Sequence, residues 1–269
     1  MVKKLFKHEF LAYTRVMAIV YSVLLTIALA TKIILVSESD TTAYNIICTF
    51  SLVTYGVSVF ATLFFAFAMG IIRFYKNLFT AEGYLTFTLP VTASQHILVK
   101  IVTAVCVEIV SFIAVVLSGC IVTSGELLSE IWKVFVYLFD KVYALAGVQC
   151  IFIGCEALLL LLLSTFTGMM LYYTFISIGQ LSKKNRILGA VGAFFIYYII
   201  TQVISSVFTV GISVLAANGM FERLALWISN HIYAFLHIAI WGGILLSVIF
   251  GLVEYFIIRW IITKKLNLE

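Results

Sequence analysis

Three carboxylic acids stand inside long apolar stretches of this chain, where an ionised side chain is costly. They are Glu108, Glu156 and Glu254. Acids placed inside a bilayer commonly mark a transport path or a proton relay, and they also form hydrogen bonds between helices. Each of the three is therefore a candidate for lining a translocation path or for an interhelical hydrogen bond made as the neutral acid. Glu156, in the run C-E-A-L, is the deepest of the three within its apolar segment.

Sequence motifs of enzymes are absent. The chain contains no G-x-x-x-x-G-K-[ST] phosphate-binding loop, no H-E-x-x-H zinc motif and no G-x-S-x-G nucleophile motif. Its closest histidine pair, His231 and His237, is six residues apart, a spacing that does not bring two ligands to one helical face. We therefore expect a chain that is not an enzyme and that binds neither a metal nor a cofactor of its own.

The five cysteines, at positions 48, 106, 120, 150 and 155, all fall in apolar segments. Their types and positions are typical of small buried apolar residues. A disulfide between Cys120 and Cys150 stays open at this point, because sequence spacing does not place two Cα atoms within bridging distance.

A second candidate site is the polar interval from Arg73 to Lys100. Its first part reads R-F-Y-K-N-L-F-T-A-E-G-Y-L-T-F-T-L-P and ends at Pro90, the single proline of the chain. Clustered aromatic and apolar side chains in a loop indicate that a partner protein or a membrane surface covers them. A short helix with anchor side chains docks well into a groove of another protein. The alternative is a loop that packs against its own spans.

Six apolar segments must position these residues, and each is long enough to cross a bilayer. Apolar residues make up 64% of the chain and charged residues 11%, far from the roughly one half and one quarter of soluble domains. We expect an all-α polytopic membrane protein with a single transmembrane domain, residues 1–269. The spans are expected near residues 16–36, 44–72, 101–123, 146–178, 187–210 and 232–262.

The distribution of basic residues predicts the orientation of the chain. With both termini in the cytoplasm, 13 of the 17 basic residues fall on the inner side, as expected from the enrichment of Lys and Arg in cytoplasmic loops. The net charge of +5 is then explained by the rim of the inner leaflet, and we expect the lipid bilayer, not a nucleic acid, to be the partner of these charges.

Three segments outside the spans also have predicted structures. Residues 1–15 form an amphipathic pattern with Lys3, Lys4 and Lys7, which predicts a helix lying in the inner interface. Residues 124–146 have apolar side chains on one helical face and predict a helix on the outer interface. The surplus length between the last two spans predicts a re-entrant or interfacial hairpin from Gly211 to His231.

The stretch from Arg73 to Pro90, with its E-G-Y-L turn at Glu82 and Gly83, resembles the permease subunits of bacterial ABC type-2 exporters. The basic amphipathic start, the six spans, the long connection between the last two spans and the basic C-terminus agree with that pattern over the whole chain. The resemblance implies a multi-pass protein of the bacterial plasma membrane. It further implies a second permease copy, identical or related, and a separate nucleotide-binding ATPase subunit that holds ATP and Mg²⁺.

The resemblance also implies that the first internal loop carries a coupling helix seated in the ATPase cleft. The residues that would form it here are Phe79, Glu82, Gly83, Tyr84 and Leu85. We expect the aromatic rings to fill a groove of the ATPase and Glu82 to meet a basic or amide partner. Gly83 is expected at a backbone position with positive φ, which glycine alone adopts at no cost.

The family does not determine the substrate, since its members export peptides, drugs, polysaccharides and ions. Chains of this size include lantibiotic self-immunity permeases, which makes an amphipathic or antimicrobial peptide one candidate, with a drug as another. The alternative function is a standalone secondary transporter that uses Glu108, Glu156 or Glu254 as a proton relay.

Overall fold

The described part of the chain folds entirely into α-helices. The structure is a computed structural model and describes residues 2–37, 41–80, 82–88, 90–182, 185–217 and 219–264. Six helices are long and apolar enough to cross a membrane, which confirms the expected number of spans. They are α1 (Val2–Val36), α2 (Thr42–Phe79), α4 (Ala93–Val122), α6 (Gln149–Gly179), α7 (Arg186–Ala217) and α9 (Ile232–Lys264). Three further helices connect them: α3 (Glu82–Phe87), α5 (Glu126–Ala146) and α8 (Met220–Asn230).

Local sequence signals explain where several of these helices begin. Thr92 and Gln95 form a reciprocal capping box at the start of α4, in which each side chain bonds the other residue's backbone N–H. The box follows Pro90, which cannot continue a helix. Gly219 starts α8 with φ of +68°, a conformation that costs glycine nothing and strains other residues.

The N-terminal segment differs from its expected structure. Residues 2–15 are not a separate interfacial helix but the first turns of α1, which continues without a break to Val36. No glycine or proline occurs between Val2 and Val36 to end the helix. A helix of 35 residues is about 52 Å long at 1.5 Å per residue, so α1 exceeds the roughly 30 Å hydrocarbon core.

The expected hairpin from Gly211 to His231 is also wrong in its first part. Gly211 lies inside α7, which runs on to Ala217, because a single glycine weakens a long apolar helix by only about 1 kcal/mol. The rest of the segment is α8, a strongly amphipathic helix of 11 residues. The expected helix in residues 124–146 is confirmed as α5.

By their internal contacts, residues 1–269 divide into two compact units, Met1–Lys141 and Val142–Glu269. In the first unit α1, α2 and α4 pack against one another. Its buried centre includes Tyr13 and Met17 from α1, Ala66 from α2 and Val107 from α4. Small Ala66 lets the large side chains of α1 lie close to α2.

In the second unit α6 packs along α9 and against α7. The pair α6 and α9 runs parallel, since Leu160 faces Gly243 and Thr167 faces Gly251 farther along both helices. Added Cβ atoms at the two glycines would lie 3.2 and 3.0 Å from those side chains. Gly243 and Gly251 therefore allow α9 to pack closely against α6, as small residues commonly do between membrane helices.

Candidate functional site

The connection between α2 and α4 contains a short helix, as the resemblance implies for this loop. α2 ends at Phe79, Thr80 follows in an extended conformation, and α3 begins at Glu82. The Gly83 N–H donates to the Thr80 carbonyl at 2.8 Å, and the Thr80 hydroxyl donates to the Lys76 carbonyl. These bonds satisfy backbone groups at the helix end, and they tie the start of α3 to the last turn of α2.

Phe79 does not have the exposed position expected of a docking anchor. It is the last residue of α2, its exposed fraction is 2%, and its ring meets that of Phe74 edge to face with centroids 5.6 Å apart. A ring buried in this way contributes packing energy to its own domain. The expectation that Phe79 fills a groove of a partner is therefore wrong. Phe79 instead packs against its own helices, which is the alternative given for this loop.

The exposed side chains of the loop are those of α3. Tyr84 is 54% exposed, and the Glu82 carboxylate lies 3.3 Å from the exposed Lys76 ammonium. Gly83 is buried and lies in the first turn of α3, so the expected positive φ is not found there. Leu85 belongs to α3 by its backbone, and its side chain lies outside the described part of the structure.

A polar cluster joins the three long helices of the first unit. The Glu9 carboxylate of α1 accepts hydrogen bonds from Lys100 Nζ at 2.8 Å, from Arg73 Nη2 at 2.9 Å and from Asn77 Nδ2 at 3.0 Å. Its side chain is 13% exposed and that of Lys100 5%. Charge-assisted bonds of this kind are about twice as strong as bonds between neutral groups. The cluster therefore fixes the positions of α1, α2 and α4 relative to one another.

Sequence reasoning missed this cluster. Arg73 and Lys100 were assigned to the basic rim of the inner leaflet, and Glu9 had no assigned role. The available signal was that Glu9 is the only acid before Glu38, in a segment with Lys3, Lys4 and Lys7. An acid kept in an otherwise basic helix indicates a specific cationic partner, but only the packing of three helices identifies Arg73 and Lys100 as that partner.

Glu156 lies in a second polar cluster, between α6 and α9. One of its oxygens lies 2.7 Å from Nδ1 of His237, and the other accepts a bond from Nε1 of Trp241 at 3.0 Å. The Glu156 side chain is 18% exposed. Both oxygens of this acid thus have partners on a neighbouring helix, which is the interhelical hydrogen bond that was one of its two expected roles.

The other two intramembrane acids lie elsewhere. Glu108 is half-buried in α4, 15 residues after the start of that helix, whereas Glu156 is seven residues after the start of α6. The expectation that Glu156 is the deepest of the three acids is therefore wrong, because α6 begins at Gln149. Glu254 is buried in α9, and its Oε2 has no hydrogen-bond partner among the described residues. Along α9, Glu254 is 13 residues from Trp241, about 20 Å at 1.5 Å per residue. Glu156 and Glu254 therefore do not form a hydrogen-bonded relay with each other.

The cysteines remain as thiols. All five lie within the described residues and are free, including Cys120 and Cys150. The disulfide left open by the sequence is therefore not formed in this structure.

In comparisons with protein-family models, with curated proteins and with solved structures, the chain has no significant match. The assignment as a multi-pass membrane protein depends on the chain's own architecture. Six of its helices have the length and the apolar composition of membrane spans.

Proposed function

We propose that this chain is the permease subunit of an ATP-driven exporter of the bacterial plasma membrane. A separate nucleotide-binding ATPase would bind ATP and Mg²⁺, and a second permease copy, identical or related, would complete the transporter. The observation that carries the proposal is α3, a short helix between two spans that exposes Tyr84 and Glu82. Its location is the one that the resemblance assigns to a coupling helix.

The connections of α3 support a role in transmitting force. α3 is joined to the last turn of α2 by the Gly83–Thr80 bond and by the Lys76–Glu82 ion pair. In the last two turns of α2, Arg73 and Asn77 bind Glu9, which also binds Lys100 of α4. A partner that displaces α3 would thus move the end of α2, and the Glu9 cluster would carry that displacement to α1 and α4.

Co-purification tests the proposal. The tagged chain, solubilised from its native membrane, is expected to retain a nucleotide-hydrolysing subunit. Tyr84→Ala should weaken that association by about 1–2 kcal/mol, the usual cost of removing an interface aromatic, and Glu82→Lys should also reduce it by reversing a charge. Both variants should insert and fold like the parent, because the two side chains are largely exposed.

Two control variants sharpen this experiment. Trp132→Ala removes another aromatic that is more than half exposed, from α5, and should leave the association intact. Phe79→Ala removes a core ring and should lower the stability of the permease itself by about 3–5 kcal/mol. Full ATPase retention and transport in Tyr84→Ala and Glu82→Lys would contradict the assignment of α3 as the coupling helix.

A proton-driven secondary transporter is the second candidate, and the close contact between Glu156 and His237 favours it. Reconstitution into proteoliposomes separates the two functions. Transport that needs ATP and the co-purified subunit supports the exporter. Transport by this chain alone, driven by a proton gradient and abolished in Glu156→Gln, supports the secondary transporter.

A further inference from the structure

The cluster of Glu156, His237 and Trp241 combines a carboxylate placed between two apolar helices with an exposed indole ring. A hydrogen bond between two helices does not require this exposure. Glu156 lies seven residues after the start of α6 and His237 five residues after the start of α9, so both are about 7–11 Å into their helices at 1.5 Å per residue. At that depth the carboxylate is surrounded by apolar segments. Each of its two oxygens has one hydrogen-bond partner, which orients the carboxylate and leaves acceptor capacity on both oxygens. Trp241, one of the two partners, is 53% exposed.

The charge of this cluster is negative when His237 is neutral. With Glu156 ionised and His237 neutral, Nδ1 of His237 donates its hydrogen to the carboxylate and Nε2 is an acceptor. A protonated His237 would form an ion pair with Glu156, whereas with neutral His237 the carboxylate carries one negative charge that neither His237 nor Trp241 compensates. Such a charge in apolar surroundings favours a cation strongly, because the local dielectric constant is low.

The surroundings of the carboxylate are apolar and aromatic. The indole of Trp241 is held by its N–H bond to Glu156, and a ring held in this way presents a fixed surface to a ligand. Phe152 lies four residues before Glu156 on the same face of α6 and is exposed. Aromatic surfaces next to a carboxylate are the usual recognition elements for organic cations.

We propose that Glu156, His237 and Trp241 form a binding site for the cationic group of a hydrophobic or amphipathic substrate. The carboxylate would neutralise the cation, and Trp241 and Phe152 would contact its apolar part. A neutral or anionic ligand gains nothing from the carboxylate. This inference rests on the proposed function, since it names the substrate class of the exporter.

Binding of tetraphenylphosphonium to the purified chain in lipid nanodiscs tests this site. Tetraphenylborate has the same shape and the opposite charge, so the difference between the two ions reports the contribution of charge. Glu156→Gln should weaken tetraphenylphosphonium binding about tenfold, the effect of losing one charge partner in an apolar site, and should not weaken tetraphenylborate binding. Glu130→Gln removes the same charge from exposed α5 and should change neither.

A matched pair of tryptophan variants keeps the test valid if Glu156→Gln fails to insert. Trp241→Leu should weaken tetraphenylphosphonium binding by about threefold or more, a loss typical of a cation–π contact. Trp260→Leu, on the same helix α9, should leave binding unchanged. Equal binding of the two probe ions by the parent, or unchanged binding in both Glu156→Gln and Trp241→Leu, overturns the proposal. A second permease copy that covers Trp241 would prevent binding of tetraphenylphosphonium, and Trp241→Leu would then change the dimer population. That outcome also overturns the proposed binding site.

The binding measurement needs no ATPase. Loss of ATPase association with intact Glu156-dependent binding would refute the exporter and keep the site. ATPase retention without any preference for the cationic probe would refute the site and keep the exporter.

Discussion

At the scale of single residues, the contacts of Glu9 connect all three long helices of the first unit and are expected to affect its stability. One carboxylate compensates two cations, Arg73 and Lys100, of which Lys100 is almost completely buried. Desolvating these charges costs several kcal/mol each, and the cost is offset only while the partners remain together. The pairs are 64 and 91 residues apart in the chain, so their effect on stability depends on the folded arrangement of three helices.

Glu9→Gln is expected to lower the free energy of unfolding by about 3–5 kcal/mol, because it leaves the buried Lys100 and the partly buried Arg73 without a counter-charge. Unfolding by SDS titration in mixed micelles, followed by circular dichroism, measures the loss. Adding Lys100→Met to Glu9→Gln should restore part of the stability by removing one of the unpaired charges. Glu130→Gln, which breaks the exposed pair with Lys133, should cost only about 0–1 kcal/mol. Equal effects of Glu9→Gln and Glu130→Gln would contradict this account.

At the scale of helices, glycines decide where α6 and α7 can approach. Gly179 is the last residue of α6, and Gly189 lies in the first turn of α7. A Cβ added to Gly179 would lie 2.6 Å from the Arg186 carbonyl oxygen and 2.7 Å from the Ala190 nitrogen. These are backbone atoms and cannot move aside independently. On the α7 side of this contact, Gly189 packs against Gly179 and Ser182.

Gly179→Ala is therefore expected to destabilise the second unit by about 1–3 kcal/mol, the usual cost of overpacking a tight contact. The midpoint of thermal unfolding in detergent measures this effect. Gly168→Ala is the matched control on the same helix, since no atom lies within 4 Å of its added Cβ. That control should be neutral or stabilising by up to about 1 kcal/mol, because alanine favours a helix over glycine. A Gly179→Ala variant as stable as Gly168→Ala would show that the α6–α7 contact can relax.

At the scale of the whole molecule, the six spans and the basic residues between them predict one orientation. An even number of crossings places both termini on the same side, and the excess of Lys and Arg in the connections predicts the cytoplasmic side. In that orientation α3 faces the cytoplasm, where an ATPase subunit would reach it, and α5 lies outside. The proposed function depends on this orientation.

Labelling of single cysteines in a variant without the five native cysteines checks the orientation. Thr88→Cys, next to α3, is expected to react with a membrane-impermeant maleimide only after the cells are permeabilised. Ser129→Cys, exposed on α5, should react in intact cells. The reverse pattern would place α3 outside and remove the basis for a cytoplasmic ATPase partner.

The sequence by itself determined the parts of this protein that depend on local composition. The number and approximate limits of the spans follow from hydropathy, because a chain in hydrocarbon must satisfy its backbone hydrogen bonds within each helix. The amphipathic pattern of residues 124–146 predicted α5 for the same local reason. The segment from Gly211 to His231 shows the limit of such local signals. The sequence predicts a hairpin that starts at Gly211, but α7 continues through this glycine to Ala217.

Only the tertiary structure decided which side chains of each helix are available for function. Phe79 and Tyr84 are aromatic residues five positions apart, yet one is buried in the core and the other is exposed on α3. Glu156 has partners 81 and 85 residues away, and Glu9 has partners on two other helices. Hydropathy cannot distinguish these cases, because burial and pairing are set by which helix faces meet, and that depends on contacts between distant segments of the chain.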